Sequence, residues 1–148
     1  MTEGAQDRQP RRKFWGWGLE SEGYSRAETE ALGHQLAAQL ELPDLSIAEP
    51  PRVEDLDLRG PRVAAPSNLT ELFTDEPYER ASHSYGKSER DLRRAFRGEF
   101  PRPIDLVAYP TNEADLVNVL AWCSDENVAA IPYGGGSSVV GGVEPPDD

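Results

Sequence analysis

The sequence predicts an α+β protein in which a mostly helical amino-terminal region precedes a strand–helix–strand (βαβ) unit. Ser25 with Glu28 forms a helix-capping box ahead of apolar residues at helical spacing. Ser88 with Asp91 repeats that signal further along the chain. In residues 104–131 two short apolar stretches flank a helical run, and such an arrangement within about 30 residues is typical of a βαβ unit.

Residues 1–24 are predicted to be a tail and a Trp-Gly segment. Residues 1–13 are polar and carry no hydrophobic periodicity, which is typical of a frayed terminus. Trp15 and Trp17 follow, spaced by glycines. Because two exposed tryptophans would be costly, we expect them to pack on a neighbouring domain.

Residues 25–100 are predicted to be a mainly helical region with a proline-rich connector. The first helix should run from Ser25 to Leu42 and stop at Pro43. Prolines and acidic residues in 43–66 indicate an extended connector, and a helical turn is expected in 67–73. The helix capped by Ser88 should end at Gly98. Surface ion pairing is favoured over phosphate binding for its arginines, which are Arg90, Arg93, Arg94 and Arg97.

Residues 101–148 are predicted to begin a second domain, which contains the βαβ unit. Its first strand is Ile104–Tyr109, its helix runs from Thr111 to about Glu126, and its second strand is Val128–Ile131. The two strands should be parallel and joined by a right-handed crossover. Ligands of such units bind beyond the carboxyl ends of the strands. A glycine-rich segment follows directly at that end.

This segment is the candidate binding site. Consecutive residues without a Cβ let main-chain N–H groups point toward one place and let a bulky anion come close, and serine hydroxyls add donors without charge. A diphosphate suits such a site, and a glycine-rich turn or linker is the structural alternative. The candidate binding residues are Pro132, Tyr133, Gly134, Gly135, Gly136, Ser137 and Ser138.

Two other phosphate motifs are excluded by spacing. The Rossmann pattern would need a glycine at Val139 after Gly134 and Gly136. Gly86-Lys87-Ser88 is similar to the end of a Walker loop, but Ala81 occupies the place of the first glycine.

Composition narrows the function classes. With 27 acidic and 15 basic residues the formal net charge is −12, which argues against nucleic acid as a partner. No apolar run reaches the length of a transmembrane span. Cys123 is the single cysteine, so no internal disulfide forms; we expect a buried core thiol and a cytoplasmic protein. His34, on the first predicted helix, and His83, in a predicted loop, lie far apart without paired ligands, so no metal site is expected.

Four segments together resemble the amino-terminal part of FAD-binding oxidases of the vanillyl-alcohol oxidase and p-cresol methylhydroxylase (PCMH) type, with the closest likeness to the alkylglycerone-phosphate synthase branch. In order along the chain they are Lys13-Phe14-Trp15-Gly16-Trp17-Gly18, His83-Ser84-Tyr85-Gly86-Lys87-Ser88 with Arg90-Asp91-Leu92, Asp105-Leu106-Val107-Ala108-Tyr109-Pro110, and Pro132 to Gly142 with Val143-Glu144.

The resemblance implies a PCMH-type FAD-binding domain that begins near Pro101, with Pro132–Ser138 at the cofactor's diphosphate. Many relatives bind FAD covalently through a histidine at the position of Gly136, so FAD is expected to be held here without a covalent bond. The implied activity exchanges an acyl group for a fatty alcohol on dihydroxyacetone phosphate. Oxidation of 2-hydroxy acids such as lactate or glycolate is an alternative, and a non-catalytic interaction module is another.

The resemblance implies that the catalytic side chains lie in parts of the enzyme beyond this sequence, so no catalytic residue is assigned. The parent is expected to be an FAD-dependent enzyme with a small-molecule substrate, and residues 1–148 alone are expected to be inactive and to bind no FAD stably. A homodimer is left open.

Overall fold

The computed structural model describes residues 10–42 and 45–146. Within these residues the chain forms two compact units. One comprises 10–13, 17–42 and 45–50, and the other comprises 14–16 and 51–146. No helix in the described ranges is long and apolar enough to cross a membrane.

The first unit contains helix α1, Arg26–Gln39. The predicted capping box is confirmed, because the Ser25 hydroxyl accepts from the Glu28 N–H and the Glu28 carboxylate accepts from the Ser25 N–H. Leu40 caps the other end, and Pro43, the predicted stop, lies outside the described residues. The apolar side of α1 stays accessible, since none of its residues is buried.

The core lies in the second unit. Its buried members come from the Trp-Gly segment, from two helices and from the segment after them: Phe14, Ala81, Tyr85, Ala95 and Phe100. Trp15 packs edge-on against Phe96 with ring centroids 5.6 Å apart, as expected for a docked tryptophan. Trp17, by contrast, is 53% exposed.

Two short elements precede the region where the sequence signals are clear. Strand β1 is Phe73–Thr74 and helix α2 is Pro77–His83, so His83 ends a helix although a loop was predicted. Proline at the first helical position starts α2 without loss of a hydrogen bond. Single 3₁₀ turns form at Val53–Asp55 and at Thr70–Leu72, the latter inside the predicted helical turn.

Helix α3, Glu89–Phe96, has the predicted capping box between Ser88 and Asp91. Arg97 is its cap, and Gly98 follows with φ of +70°. That left-handed conformation suits glycine, so the predicted end of the helix is confirmed.

The α+β class is confirmed, but the strand pairing differs from the prediction. The first predicted strand is reduced to β2, Val107–Ala108, which pairs antiparallel with β1. Helix α4, Glu113–Asp125, is capped by Asn112 where Thr111 was expected. In the described residues, segment 128–131 joins no ladder, so the predicted parallel pair was wrong. A strand needs a hydrogen-bonded neighbour, and β2 finds its neighbour in residues 73–74.

Candidate cofactor site

The candidate diphosphate-binding loop comprises residues 132–142 and is called the diphosphate loop below. It follows α4 and the unpaired segment 128–131. Gly134 and Gly135 are exposed, and a Cβ added to either would meet no atom within 4 Å. In the described part of the chain, the main-chain N–H groups of Gly134, Gly135 and Ser137 donate no hydrogen bond. This stretch therefore offers accessible donors with no side chain on Gly134 or Gly135 in the way, which is what a diphosphate requires.

Gly136 has a different role, because it is buried and turns inward. Its φ is +72°, and an added Cβ would collide with the Tyr133 hydroxyl and lie 2.6 Å from Tyr133 Cζ. Both the left-handed backbone and the contact with Tyr133 require the absence of a side chain. Gly136 thus sets the shape of the loop.

Tyr133 anchors the start of the loop. Its hydroxyl lies 2.9 Å from the Ser82 carbonyl and 3.1 Å from the Tyr85 carbonyl, and its single proton can be donated to one of them at a time. The ring meets His83 with centroids 4.6 Å apart. Burial, together with the charge of Asp91, raises the pKa of Tyr133 to about 12. Tyr133 is therefore a neutral support at ordinary pH, and its hydroxyl points into the protein.

The second half of the loop is a compact turn. The Ser138 hydroxyl accepts from the Gly142 N–H at 2.8 Å, and the Glu144 N–H donates to the Gly141 carbonyl at 3.0 Å. Gly141 has φ of +77°. At the tip, Val139 and Val140 are almost fully exposed. Ser138 thus keeps its O–H available to donate while its oxygen holds the turn together.

Glu144 closes this turn and receives three guanidinium groups. Its carboxylate is 2.5 Å from Arg90 Nη2, 2.9 Å from Arg94 Nη1 and 2.7 Å from Arg102 Nη2. The hydrogen bond from Arg94 is the largest influence, and with the neighbouring positive charges it holds the pKa of Glu144 below its ordinary value. The surface ion pairing predicted for the arginines of α3 is confirmed at Arg90, which pairs with Glu144, and at Arg93, which pairs with Glu89 on its own helix. Arg94 also forms an ion pair, but its side chain is 15% exposed, so this pair does not lie at the surface.

The diphosphate loop packs on the segment between α2 and α3, and Gly86 makes this possible. A Cβ on Gly86 would lie 2.9 Å from the Ser138 carbonyl oxygen, 3.3 Å from that of Gly136 and 2.9 Å from Asp91 Oδ2. In the sequence, Gly86 belongs to the rejected Walker pattern and to one of the four segments that carry the family resemblance, and neither predicts this contact. The indication in the sequence is the glycine itself, two residues before the capping Ser88.

The single cysteine and the two histidines lie outside the diphosphate loop. Burial raises the pKa of the Cys123 thiol, and the residue is 8% exposed, which confirms the predicted core position. His34 lies in the first unit and His83 in the second. In the ranges 10–42 and 45–146, no group of three or more His, Cys, Asp or Glu side chains is placed to hold a metal ion.

Comparison with protein families finds a match in the last third of the chain. Residues 104–148 match the model of the family described as FAD binding domain. This segment contains β2, α4 and the whole diphosphate loop.

The similar curated proteins are alkyldihydroxyacetonephosphate synthases, a synonym of alkylglycerone-phosphate synthases. The enzyme of Trypanosoma brucei brucei is 44% identical over 70 residues, which are 47% of this chain and 11% of the enzyme. That of Dictyostelium discoideum is 35% identical over 77 residues, 52% of this chain and 13% of the enzyme. That of Caenorhabditis elegans is 31% identical over 75 residues, which are 51% of this chain and 13% of the enzyme. The matches thus span about a tenth of each relative.

Two solved structures of alkyldihydroxyacetonephosphate synthase share the fold. The P1 crystal form gives a TM-score of 0.74 at 22% identity and covers 93% of this chain and 30% of its own. The P212121 form gives a TM-score of 0.74 at 20% identity, and the match covers 99% of this chain and 32% of that structure's chain. The predicted resemblance to part of a PCMH-type FAD protein of the alkylglycerone-phosphate synthase kind is confirmed.

Proposed function

We propose that residues Pro132–Ser138 bind the diphosphate of FAD, and that the whole protein is an FAD-dependent enzyme similar to alkylglycerone-phosphate synthase. One observation carries the proposal: within the segment that matches an FAD-binding family, Gly134 and Gly135 expose main-chain N–H groups over an open face. Successive main-chain amides in a glycine-rich turn bind anions without the desolvation cost of a charged side chain.

The residues of the loop divide the work. Gly134, Gly135 and Ser137 supply accessible N–H donors, and the Ser138 O–H can add another. Tyr133 and Gly136 hold the curvature, and Pro132 fixes the backbone where the loop starts. When bound, FAD supplies the capacity to accept and return electrons. The chain described here contributes binding, and the catalytic side chains are expected in the rest of the protein.

The cofactor is proposed to be held without a covalent bond at this loop. Gly136 has no side chain that could form one, and the direction in which a side chain would project is filled by Tyr133. A histidine at position 136 would first have to displace that ring.

The proposed reaction is the exchange of an acyl group for a fatty alcohol on dihydroxyacetone phosphate. Its support is that all three relatives are alkyldihydroxyacetonephosphate synthases. Oxidation of 2-hydroxy acids is the alternative, and none of those relatives is named for it. In either case the substrate is a small molecule bound mainly by parts of the protein outside this chain.

Four further properties belong to the proposal. Residues 1–148 alone are inactive, because the matched structures are about three times longer than the chain. The location is cytoplasmic, which the buried reduced Cys123 supports. Homodimerisation stays open to measurement. The functional division is 1–24, 25–100 and 101–148, with the FAD-binding domain last.

The test uses the whole protein and two glycines that are equally open. Gly135→Asp places a negative charge on the proposed diphosphate face, whereas Gly60→Asp does so at another exposed glycine where an added Cβ also meets nothing within 4 Å. We expect the wild type and Gly60→Asp to purify with flavin, and Gly135→Asp to lose it. Equal flavin content in the two variants would refute binding at this loop. Acid precipitation should release the flavin from the wild type; flavin that stays with the protein would refute the non-covalent mode.

A further inference from the structure

Glu144 is held by side chains that all come from outside the diphosphate loop. Arg90 and Arg94 belong to α3, and Arg102 follows that helix, so the three lie 42 to 54 residues before their common partner. The Glu144 carboxylate is largely shielded, with 16% of the side chain exposed. Such charge-assisted hydrogen bonds fix geometry more strongly than neutral ones.

The arginine at the centre of this cluster is itself immobilised. Arg94 lies with its guanidinium carbon 3.4 Å from the centre of the Tyr85 ring, and its Nη2 is 2.8 Å from Asp91, whose side chain is 1% exposed. Asp91 in turn completes the capping box of α3 by accepting from the Ser88 N–H. Stacking on an aromatic ring and a buried ion pair together leave Arg94 little freedom. Glu144 is therefore attached to a rigid support.

Hydrogen bonds from main-chain N–H groups connect Glu144 to the second half of the loop. The Glu144 N–H donates to Gly141, and the neighbouring Gly142 N–H donates to the Ser138 hydroxyl. At the other end of the loop, Tyr133 contacts the carbonyl of Tyr85, the residue whose ring supports Arg94. Tyr85 therefore supports both ends of the loop, one through its carbonyl and the other through its ring.

We propose that Glu144 is a positioning residue for the diphosphate loop, which it clamps to α3 through Arg90, Arg94 and Arg102 so that the amides of the loop are preorganised for the FAD diphosphate. This rests on the proposed function. Electrostatics alone gives the opposite sign: a carboxylate beside a diphosphate site repels the ligand, and its removal would tighten binding. The sign of the effect therefore separates a clamp from a bare charge.

The experiment measures FAD affinity by titrating the flavin-free whole protein. Glu144→Gln removes the charge with little change of shape. We expect the affinity for FAD to fall roughly tenfold, which corresponds to the net free energy of about one hydrogen bond. Glu144→Asp keeps the carboxylate and should recover part of the loss. Arg93→Gln is the matched control, because Arg93 sits on the same helix and is as exposed as Arg90 but pairs with Glu89, outside the loop. Its affinity should stay within about twofold of wild type.

Arg90→Gln provides a second arm that does not depend on the folding of the Glu144 variant, because Arg90 is 66% exposed and its loss leaves the other two arginines in place. We expect weaker FAD binding, and the double variant Arg90→Gln with Glu144→Gln should be no weaker than Glu144→Gln alone. Unchanged or tighter binding by Glu144→Gln, or loss in Arg93→Gln equal to that in Arg90→Gln, would overturn the clamp. If Gly135→Asp loses flavin while Glu144→Gln keeps it, only the clamp fails; if Gly135→Asp keeps flavin, the proposed function fails.

Discussion

Replacing Gly136 with alanine is expected to distort the diphosphate loop from within. At φ of +72° an L-residue costs about 1 to 2 kcal/mol relative to glycine. The new methyl group would also overlap the Tyr133 hydroxyl and approach its Cζ to 2.6 Å, and overpacking of this kind costs about 1 to 3 kcal/mol. The two terms together predict a loss of about 2 to 5 kcal/mol, unless the loop detaches at a lower cost.

Gly134→Ala is the control for Gly136→Ala, because it adds the same methyl group at a neighbouring glycine with open space around it. Gly134 has no left-handed φ and no atom near its Cβ direction, so alanine is expected to change the free energy of unfolding by less than about 1 kcal/mol. Its methyl group nevertheless stands on the proposed diphosphate face and should weaken FAD. Gly136→Ala should thus lose both stability and FAD, and Gly134→Ala should lose FAD alone.

The assays are urea unfolding of the flavin-free whole protein and FAD titration. Gly60→Ala sets the baseline, since this exposed glycine also has open space around its Cβ direction and lies far along the chain from the diphosphate loop. If Gly136→Ala unfolds at the same urea concentration as Gly134→Ala, the inward packing of Gly136 on Tyr133 is wrong. If Gly134→Ala binds FAD as Gly60→Ala does, the exposed face is not where the diphosphate lies.

Three further outcomes are expected. Because burial raises the pKa of Tyr133 from 10.0 to about 12, the unfolded state ionises first, and the free energy of unfolding should fall as pH rises from 10 toward 12; Tyr133→Phe should flatten this slope, and an unchanged slope would contradict the assignment. Asp91→Asn should cost about 3 kcal/mol in denaturant unfolding because it leaves the guanidinium of Arg94 in a mostly buried site without one partner; a loss below the cost of an ordinary surface change would show that the pair is dispensable. Burial opposes the ionisation of Asp105, but hydrogen bonds from Arg59 and a second arginine outweigh it and hold the pKa of Asp105 below 3.8. The contribution of Asp105 to the free energy of unfolding is therefore present above pH 3.8 and lost as pH falls further. Acid unfolding of Asp105→Asn should lack that part of the pH dependence.

The helices were predictable because their signals are local. Ser25 and Ser88 each meet an acidic residue three positions later, and a capping box needs nothing else. Segment 128–131 looked like a strand for an equally local reason, its apolar run, but a strand depends on a partner. The partner of β2 proved to be Phe73–Thr74, a two-residue stretch with no pattern of its own. A pairing that short leaves no periodicity to recognise.

The position of the candidate site was predictable, but the orientation of its glycines was not. Gly134, Gly135 and Gly136 are identical in sequence, yet two are open and one is buried against Tyr133. What distinguishes them is the direction of each missing Cβ, which depends on backbone dihedral angles fixed by contacts elsewhere. Tyr133 was grouped with the binding residues because of its place in the motif, and in the structure its hydroxyl points away from the open face toward Ser82 and Tyr85.

The segment from Ser82 to Ser88 explains why a glycine loop with few internal bonds can be preorganised. An anion-binding loop must leave its own N–H groups unpaired, so it cannot be stabilised by the hydrogen bonds that order most backbone. Here the stabilising contacts come from a different part of the chain: the Tyr85 carbonyl at one end, Gly86 in the middle, and Glu144 through Arg94 at the other. Gly86 lets the backbone of Ser138 come to a distance that any larger residue would block. The segment from Ser82 to Ser88 and the diphosphate loop, which lie some 50 residues apart in the chain, therefore form one structural feature.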